Sequence, residues 1–260
     1  MGWLLFPLRL PMLLVWGMGG LITVLAIFPC LNLNARRWLI RHWSRVLMVI
    51  CGVAIRLHGR PKREGPVLWV ANHVSWVDIF VLNSVRAVSF IAKSDIRHWP
   101  LLGWLVAGAG TLFIERGKRH AVRAVGHQMS EQFQRGSAVG LFPEGTTSEG
   151  LSVLPFHSSL FEPALRAGVD IQPVALRFFH HGRRTQRYAF VGEQTLAHNI
   201  WNLLTSTGTV ISIDFWPVTP AAVAAELGRA AMAAKAESQI RVCVENELAG
   251  PEDSALRGTA

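Results

Sequence analysis

The chain carries no acidic residue before Glu64, although nine Lys and Arg residues precede it. Its three cysteines, Cys30, Cys51 and Cys243, are odd in number and widely spaced, which excludes a disulfide framework and a CxxC metal pair. No His, Cys and carboxylate grouping has metal-ligand spacing, so no metal is expected. A GxSxG nucleophile elbow is absent, as are zinc-finger, RRM-type and basic heptad patterns. Internal repeats are lacking, and low-complexity sequence is confined to the Ala-rich stretch from Ala221 to Ala236.

What the chain does have is apolarity and positive charge. Of its 260 residues half are hydrophobic, mean hydropathy is +0.29, and the net charge is +9. That combination fits an anionic membrane better than a nucleic acid, because lipid headgroups attract Lys and Arg while the apolar surface enters the bilayer. Pro11 to Leu33 is a run of 23 residues without Asp, Glu, Lys or Arg. About 20 helical residues cross a hydrocarbon core. Gly17, Gly19 and Gly20 loosen its middle and Pro11 and Pro29 bracket it, so both a spanning helix and a leaflet-buried helix are open. Arg36, Arg37, Arg41, Arg45, Arg56, Arg60, Lys62 and Arg63 follow. The positive-inside rule puts that face in the cytoplasm, at the cell membrane. Leu47 to Ile55 is too short to span and reads as an amphipathic interfacial helix or a helix of the globular core.

From Gly65 onward, short apolar runs alternate with helical patterns. Strands are expected at 66–71, 88–92, 111–114, 138–142, 171–176 and 210–215, with a helix at 119–134. This is an α/β pattern: a mixed central sheet flanked by helices, with an N-terminal membrane-associated helical segment. Three parts are expected: residues 1–60 as apolar and basic membrane-anchoring helices, 61–220 as the main domain, and 221–260 as an Ala-rich helix to about Leu248 with a frayed tail from Pro251.

Three segments have the residue types for chemistry. His73 follows an apolar strand, where side chains enter the crevice at the strand's carboxyl end. Ser75 is placed to N-cap a helix, with Asp78 at the capping-box position. Residues five apart on one helix point about 140° from each other, so His73 and Asp78 meet only across a turn. An ionised Asp on one ring nitrogen would leave the other to take a proton from a hydroxyl, an arrangement in which the substrate supplies the nucleophile. The alternative is a capped helix beside an incidental histidine. Next, Gly110 to Ile114 delivers Arg116, whose guanidinium can hold a phosphate, with Lys118 and Arg119 beyond; otherwise this is a solvated basic turn. Finally, Phe142-Pro-Glu-Gly-Thr-Thr-Ser148 follows a strand with a carboxylate, a glycine for close approach, and loop N–H groups that can form an anion nest; otherwise it is a turn.

Taken in order, Asn72-His73-x4-Asp78, Gly110-x2-Phe-Ile-x-Arg116, Phe142-Pro-Glu-Gly-Thr146 and Pro173-Val174 resemble the glycerolipid acyltransferases of the 1-acylglycerol-3-phosphate acyltransferase type. Phe90-Ile-Ala-Lys93, Trp99-Pro100 with Gly103, and Pro155 to Phe161 also resemble the family, over residues 50 to 220 or so. The resemblance implies that His73 is the general base and Asp78 its orienter. It implies that Arg116 binds the acceptor phosphate with Lys93 as helper, and that Glu144, Gly145 and Thr146 shape the acceptor site. The reaction implied is transfer of a fatty-acyl group from acyl-CoA or acyl-carrier protein to the sn-2 hydroxyl of lysophosphatidic acid, giving phosphatidic acid. No cofactor is required, since a thioester is already reactive. Other lysolipid acceptors, such as lyso-ornithine lipid, fit the same blocks. So do a hydrolase with water as acceptor and a noncatalytic membrane-binding protein that retains the fold. His157 ranks lower as a supporting residue, and His180, His181, Arg183, Arg184 and Arg187 read as a solvated basic loop.

Overall fold

A computed structural model of the chain describes residues 2–99, 102–115 and 119–246. Arg116, Lys118 and the tail from Pro251 therefore lie outside the described residues, so the structure does not place the expected phosphate-binding arginine.

The sheet is built around β2 (Val67–Ala71), whose five residues are essentially inaccessible. Val67 and Trp69 turn to one face, Leu68 and Val70 to the other, and each side joins a separate apolar cluster. A strand buried on both faces reads as a continuous apolar run because helices cover both sides. Parallel neighbours β5 (Ala138–Leu141) and β6 (Asp170–His180) flank β2. β3 (Val88–Lys93) and β4 (Leu112–Ile114) extend the parallel part beyond β5. On the other side β8 (Thr209–Phe215) is antiparallel to β6 and parallel to β1 (Val53–Gly59). With β7 (Arg183–Arg184) hooked to β6, the described residues form an eight-stranded mixed sheet.

On one face lie α2 (Leu33–Ile50), α3 (Val77–Val85) and α7 (Leu196–Leu204), covering Trp69, Leu176 and Ile213. The other face is covered by α5 (Arg119–Gln134), α6 (Glu162–Arg166) and α8 (Ala221–Glu245). Each fully buried Leu, Ile or Met contributes about 1.5–3 kcal/mol, so these two layers dominate the fold's stability. The Ala-rich segment is helical as expected, with a break at Gly228.

One expected element differs. Residues 47–55, read as one amphipathic helix, are divided: α2 ends at Ile50 and β1 begins at Val53. Gly52, at φ +66°, leaves helical space, and β-branched Val53 and Ile55 then pair with β8. The N-terminal 60 residues thus include an edge strand of the sheet as well as helices.

The apolar N-terminal run forms α1 (Phe6–Ile22), continued by a π turn and a 3-10 turn to Cys30. One stripe of it docks on the domain. The Phe6 ring lies 4.3 Å from that of Trp201 of α7, tilted by 53°, and Arg9 donates to the carbonyls of Leu204 and Ser206 at 3.0 and 2.7 Å. Trp16 lies 4.8 Å from Trp43 and donates to its carbonyl, while Gly20 packs under the same ring. Val24 meets Gly108 of α4 (Leu102–Gly108). The opposite stripe, including Leu8, Met12, Val15, Met18, Ile22 and Leu25, is exposed.

Candidate active site

Parallel pairing brings the chemistry-bearing segments to one edge of the sheet. Val70 is in register with Leu141, so Asn72 and His73 leave β2 where Phe142 to Glu144 leave β5. Lys93 ends β3 beside Ile114, the last residue of β4, two positions before Arg116. Asn72 ties this edge together: its side-chain amide donates to the Leu176 carbonyl at 3.0 Å, and its carbonyl oxygen accepts from the Leu176 N–H at 2.7 Å.

His73 Nδ1 lies 2.8 Å from Asp78 Oδ2, across the turn that separates strand from helix. The same carboxylate oxygen accepts from the backbone N–H groups of Val74 and Ser75, at 2.6 and 2.9 Å. Asp78 is fully buried in the first turn of α3, where the helix's free N–H groups favour an anion. Since an ionised Asp only accepts, Nδ1 carries the hydrogen and Nε2 presents its lone pair. The His73 side chain is one-fifth exposed, and no hydrogen bond occupies Nε2 among the described residues.

The expected capping box is only half formed. Trp76 occupies the N-cap position without a side-chain bond. Ser75 Oγ instead approaches Asn199 Oδ1 of α7 at 3.5 Å, while Asp78 supplies the reciprocal half by accepting from Ser75 N–H. The carboxylate already held by His73 makes the turn, so a Ser cap is not needed.

The loop after β5 grips His73 by its backbone. Glu144 Oε1 accepts from the His73 N–H at 2.7 Å, and Oε2 accepts from the Leu154 N–H at 3.0 Å. Ser148 donates its N–H to the His73 carbonyl at 2.7 Å. Burial pushes the Glu144 carboxyl above its usual range, and the two N–H groups oppose that rise. Gly145 N–H turns back to the Phe142 carbonyl, so it and the Ser148 N–H are used within the protein and do not belong to an open anion nest. Thr146 is exposed on the same loop, and the His157 ring lies against Gly145. Above this backbone clamp the imidazole stacks on Phe142, 4.0 Å away and 11° from parallel, and Phe142 stacks in turn on Phe90 at 5.3 Å. Backbone, ring face and Nδ1 are thus each fixed by a different neighbour.

Lys93 stands on the same edge, half-exposed and paired with Asp95. A cleft of about 400 Å³ opens beside it, between Ser94, Arg97 and His98, β4 and α5, with Phe113 and Glu115 in its wall. Neither His73 nor Glu144 lines that cleft; it adjoins the strand end that approaches Arg116. Cys51 and Cys243 are buried, and burial lifts both thiols to about 12, far from the thiolate a nucleophile needs.

The Acyltransferase family profile matches residues 54–177, which enclose all of these segments. A 1-acyl-sn-glycerol-3-phosphate acyltransferase of Neisseria gonorrhoeae is 42% identical over 73% of this chain and 74% of its own. A lyso-ornithine lipid O-acyltransferase of Pseudomonas aeruginosa is 37% identical over 80% of this chain and 79% of its own. The chain belongs to the glycerolipid acyltransferase family. The fold agrees with the crystal structure of the 1-acyl-sn-glycerophosphate (LPA) acyltransferase PlsC from Thermotoga maritima, with TM-score 0.63 and 20% identity over 91% of this chain and 96% of that one.

This acyltransferase has supporting residues that sequence reasoning did not assign. Phe142 as ring support and Ser148 as carbonyl clamp lay inside a segment already singled out, but only the fold shows that they meet His73. Asn199 bonds Trp76 Nε1 at 2.8 Å from a helix 123 residues away, and nothing in its local sequence marks it.

Proposed function

We propose that this acyltransferase moves a fatty-acyl group from acyl-CoA or acyl-carrier protein to the sn-2 hydroxyl of 1-acyl-glycerol-3-phosphate, forming phosphatidic acid. The observation that carries the reading is the His73–Asp78 pair with Nε2 open, on the edge where β4 leads to Arg116. His73 takes the proton of the lipid hydroxyl as its oxygen attacks the thioester carbonyl. Asp78 holds the tautomer and stabilises the imidazolium that forms. As the tetrahedral intermediate collapses, the thiol leaves and receives a proton from His73. The hydroxyl is the only nucleophile needed, so the acyl group passes directly to the lipid without a covalent acyl-enzyme, and the chemistry calls for no cofactor. Arg116 binds the acceptor phosphate, with Lys93 in support, while Glu144, Gly145 and Thr146 form the acceptor-side loop.

The enzyme works from the membrane surface, on the cytoplasmic face by its N-terminal positive charge. Because α1 is docked along its length on α2, α4 and α7, it lies beside the domain and does not project from it. That supports burial of its outer stripe in one leaflet over a crossing of the bilayer.

Lyso-ornithine lipid is the second acceptor to test, since relatives of both names are similarly close. Purified enzyme with acyl-CoA and a panel of lysolipids, read by mass spectrometry, decides between them. Phosphatidic acid is the expected product; acylation of the amino-acid lipid with lysophosphatidic acid unreacted would refute the acceptor assignment.

A further inference from the structure

A second basic cavity lies at the opposite edge of the sheet from His73. It has a volume of about 380 Å³ and is lined by Arg37, Arg41, Arg63 and Arg86, with Trp38 and Glu64 beside them. Its backbone floor, around Gly65, Ala87 and Gly136, leads into the amino ends of β2, β3 and β5. Arg41 follows Arg37 at i+4 and Trp38 at i+3, which gathers the three on one side of α2 near its N-terminus.

Four guanidinium groups here face one carboxylate. Carbonyls and a hydroxyl orient two of them without neutralising them. Arg86 donates to the carbonyls of Lys62 at 2.9 Å and Gly65 at 2.5 Å. Arg37 donates to the Arg135 carbonyl at 3.0 Å and to Ser137 Oγ at 2.7 Å. Among the described residues no ion pair joins any of the four to an acid. Arg41 Nε is buried without a hydrogen-bond partner. Burial, followed by the charge of Arg37, pushes Arg86 down to about 10, although Glu64 opposes the shift. Cations crowded into a half-enclosed space, outnumbering its one carboxylate and not ion-paired with it, are matched by an anion with several oxygens, for which guanidinium forks are suited.

We propose that this cavity binds the phosphate of an anionic membrane-lipid headgroup, apart from the acceptor at the reacting centre. It cannot hold the acceptor's own phosphate. From Gly65 to His73 the chain runs on the order of 20 Å along β2, too far for one glycerol to bridge. The choice of a lipid headgroup rests on the membrane-surface reading above. Leu33 and Trp38 are exposed at the same end of α2, directly after the apolar N-terminal run, and Trp is favoured at headgroup depth. A headgroup held here would fix the start of α2 at the membrane.

The test uses the full chain, sedimented with phosphatidylcholine vesicles or with vesicles that also contain phosphatidylglycerol. The double variant Arg41→Gln/Arg63→Gln spares Arg37 and Arg86, which hold backbone. Wild type should prefer the anionic vesicles, and the variant should lose about fivefold of that preference per arginine. Binding to neutral vesicles and activity in neutral detergent micelles should be unchanged, which shows that the variant is folded. Val15→Glu, on the outer stripe of α1, should instead weaken binding to both vesicles. If wild type binds both vesicles equally, or the double variant keeps the full preference, the headgroup site is wrong while membrane attachment stands. If wild type binds neither vesicle, both readings fall. If inorganic phosphate at constant ionic strength raises the thermal midpoint of wild type but not of the double variant, and no anionic preference exists, the cavity takes soluble phosphate and the lipid assignment is overturned.

Discussion

Replacing Asp78 by Asn separates the orienting role of this carboxylate from its place in the fold. In the native turn Oδ2 accepts three hydrogens, from His73 Nδ1, Val74 N and Ser75 N, while buried Oδ1 has no partner. An Asn amide can keep its oxygen at the Oδ2 position, with its NH2 group at the site of Oδ1. The two backbone bonds and the turn then survive, at a cost of about 1–3 kcal/mol for the buried unpaired donor. Catalysis loses more. A hydrogen bond to an ionised group contributes about 1.5–3 kcal/mol, or roughly 10- to 160-fold in rate if it is fully expressed when His73 becomes imidazolium. If the amide turns its NH2 toward the ring, Nδ1 becomes the acceptor and Nε2 carries the hydrogen, the wrong tautomer for a base. The combined loss should approach the 10²- to 10⁴-fold of general-base catalysis. The assay is thiol release from acyl-CoA with saturating lysolipid, across pH, alongside thermal unfolding. A folded Asp78→Asn enzyme with kcat within fivefold of wild type at every pH would refute the orienter role.

Arg116→Ala should raise KM for lysophosphatidic acid by roughly 10- to 150-fold, the value of a charged phosphate contact, and leave KM for an acceptor without phosphate nearly unchanged. Glu144→Gln keeps one backbone acceptor and loses the other, so chemical denaturation should show about 1–3 kcal/mol of destabilisation. Burial raises the folded pKa of Glu144, so its titration favours the native state most below the usual 4.5, and that contribution is lost as pH rises through the folded value. The Gln variant should lack this pH-dependent part. Gly150→Ala forces a left-handed φ of +78° on alanine and brings Cβ to 2.9 Å from a methyl of Val74, next to His73. A loss of about 1–2 kcal/mol from the backbone alone is expected by calorimetry, with kcat reduced as well.

Much of this site was legible because its residues are local to strand ends. His73 and Asp78 sit five apart with a turn between them, and alternating apolar runs located β2 and β5 closely enough to put both segments on one edge. β1 was missed because Leu47 to Ile55 is apolar throughout, and periodicity does not tell a buried strand from a helix in so short a run. The clamp of Ser148 on the His73 carbonyl and the stacking of Phe142 are tertiary contacts between residues some 70 positions apart, which no local pattern encodes. The Ser75 cap failed for a related reason: propensity favours Ser there, but its hydroxyl is turned to Asn199, 124 positions away in sequence. The same holds for the arginine cavity, whose members come from α2, the approach to β2 and the end of α3.

The most direct test of His73 as the base for a lipid hydroxyl is acyl transfer by His73→Ala, measured as phosphatidic acid formed from lysophosphatidic acid and acyl-CoA by mass spectrometry. The ring makes its side-chain hydrogen bond to Asp78 and stacks on one face, so the variant should fold and still bind both substrates. Product formation should fall by at least 10²-fold. A folded His73→Ala enzyme that makes phosphatidic acid at the wild-type rate would contradict the mechanism outright.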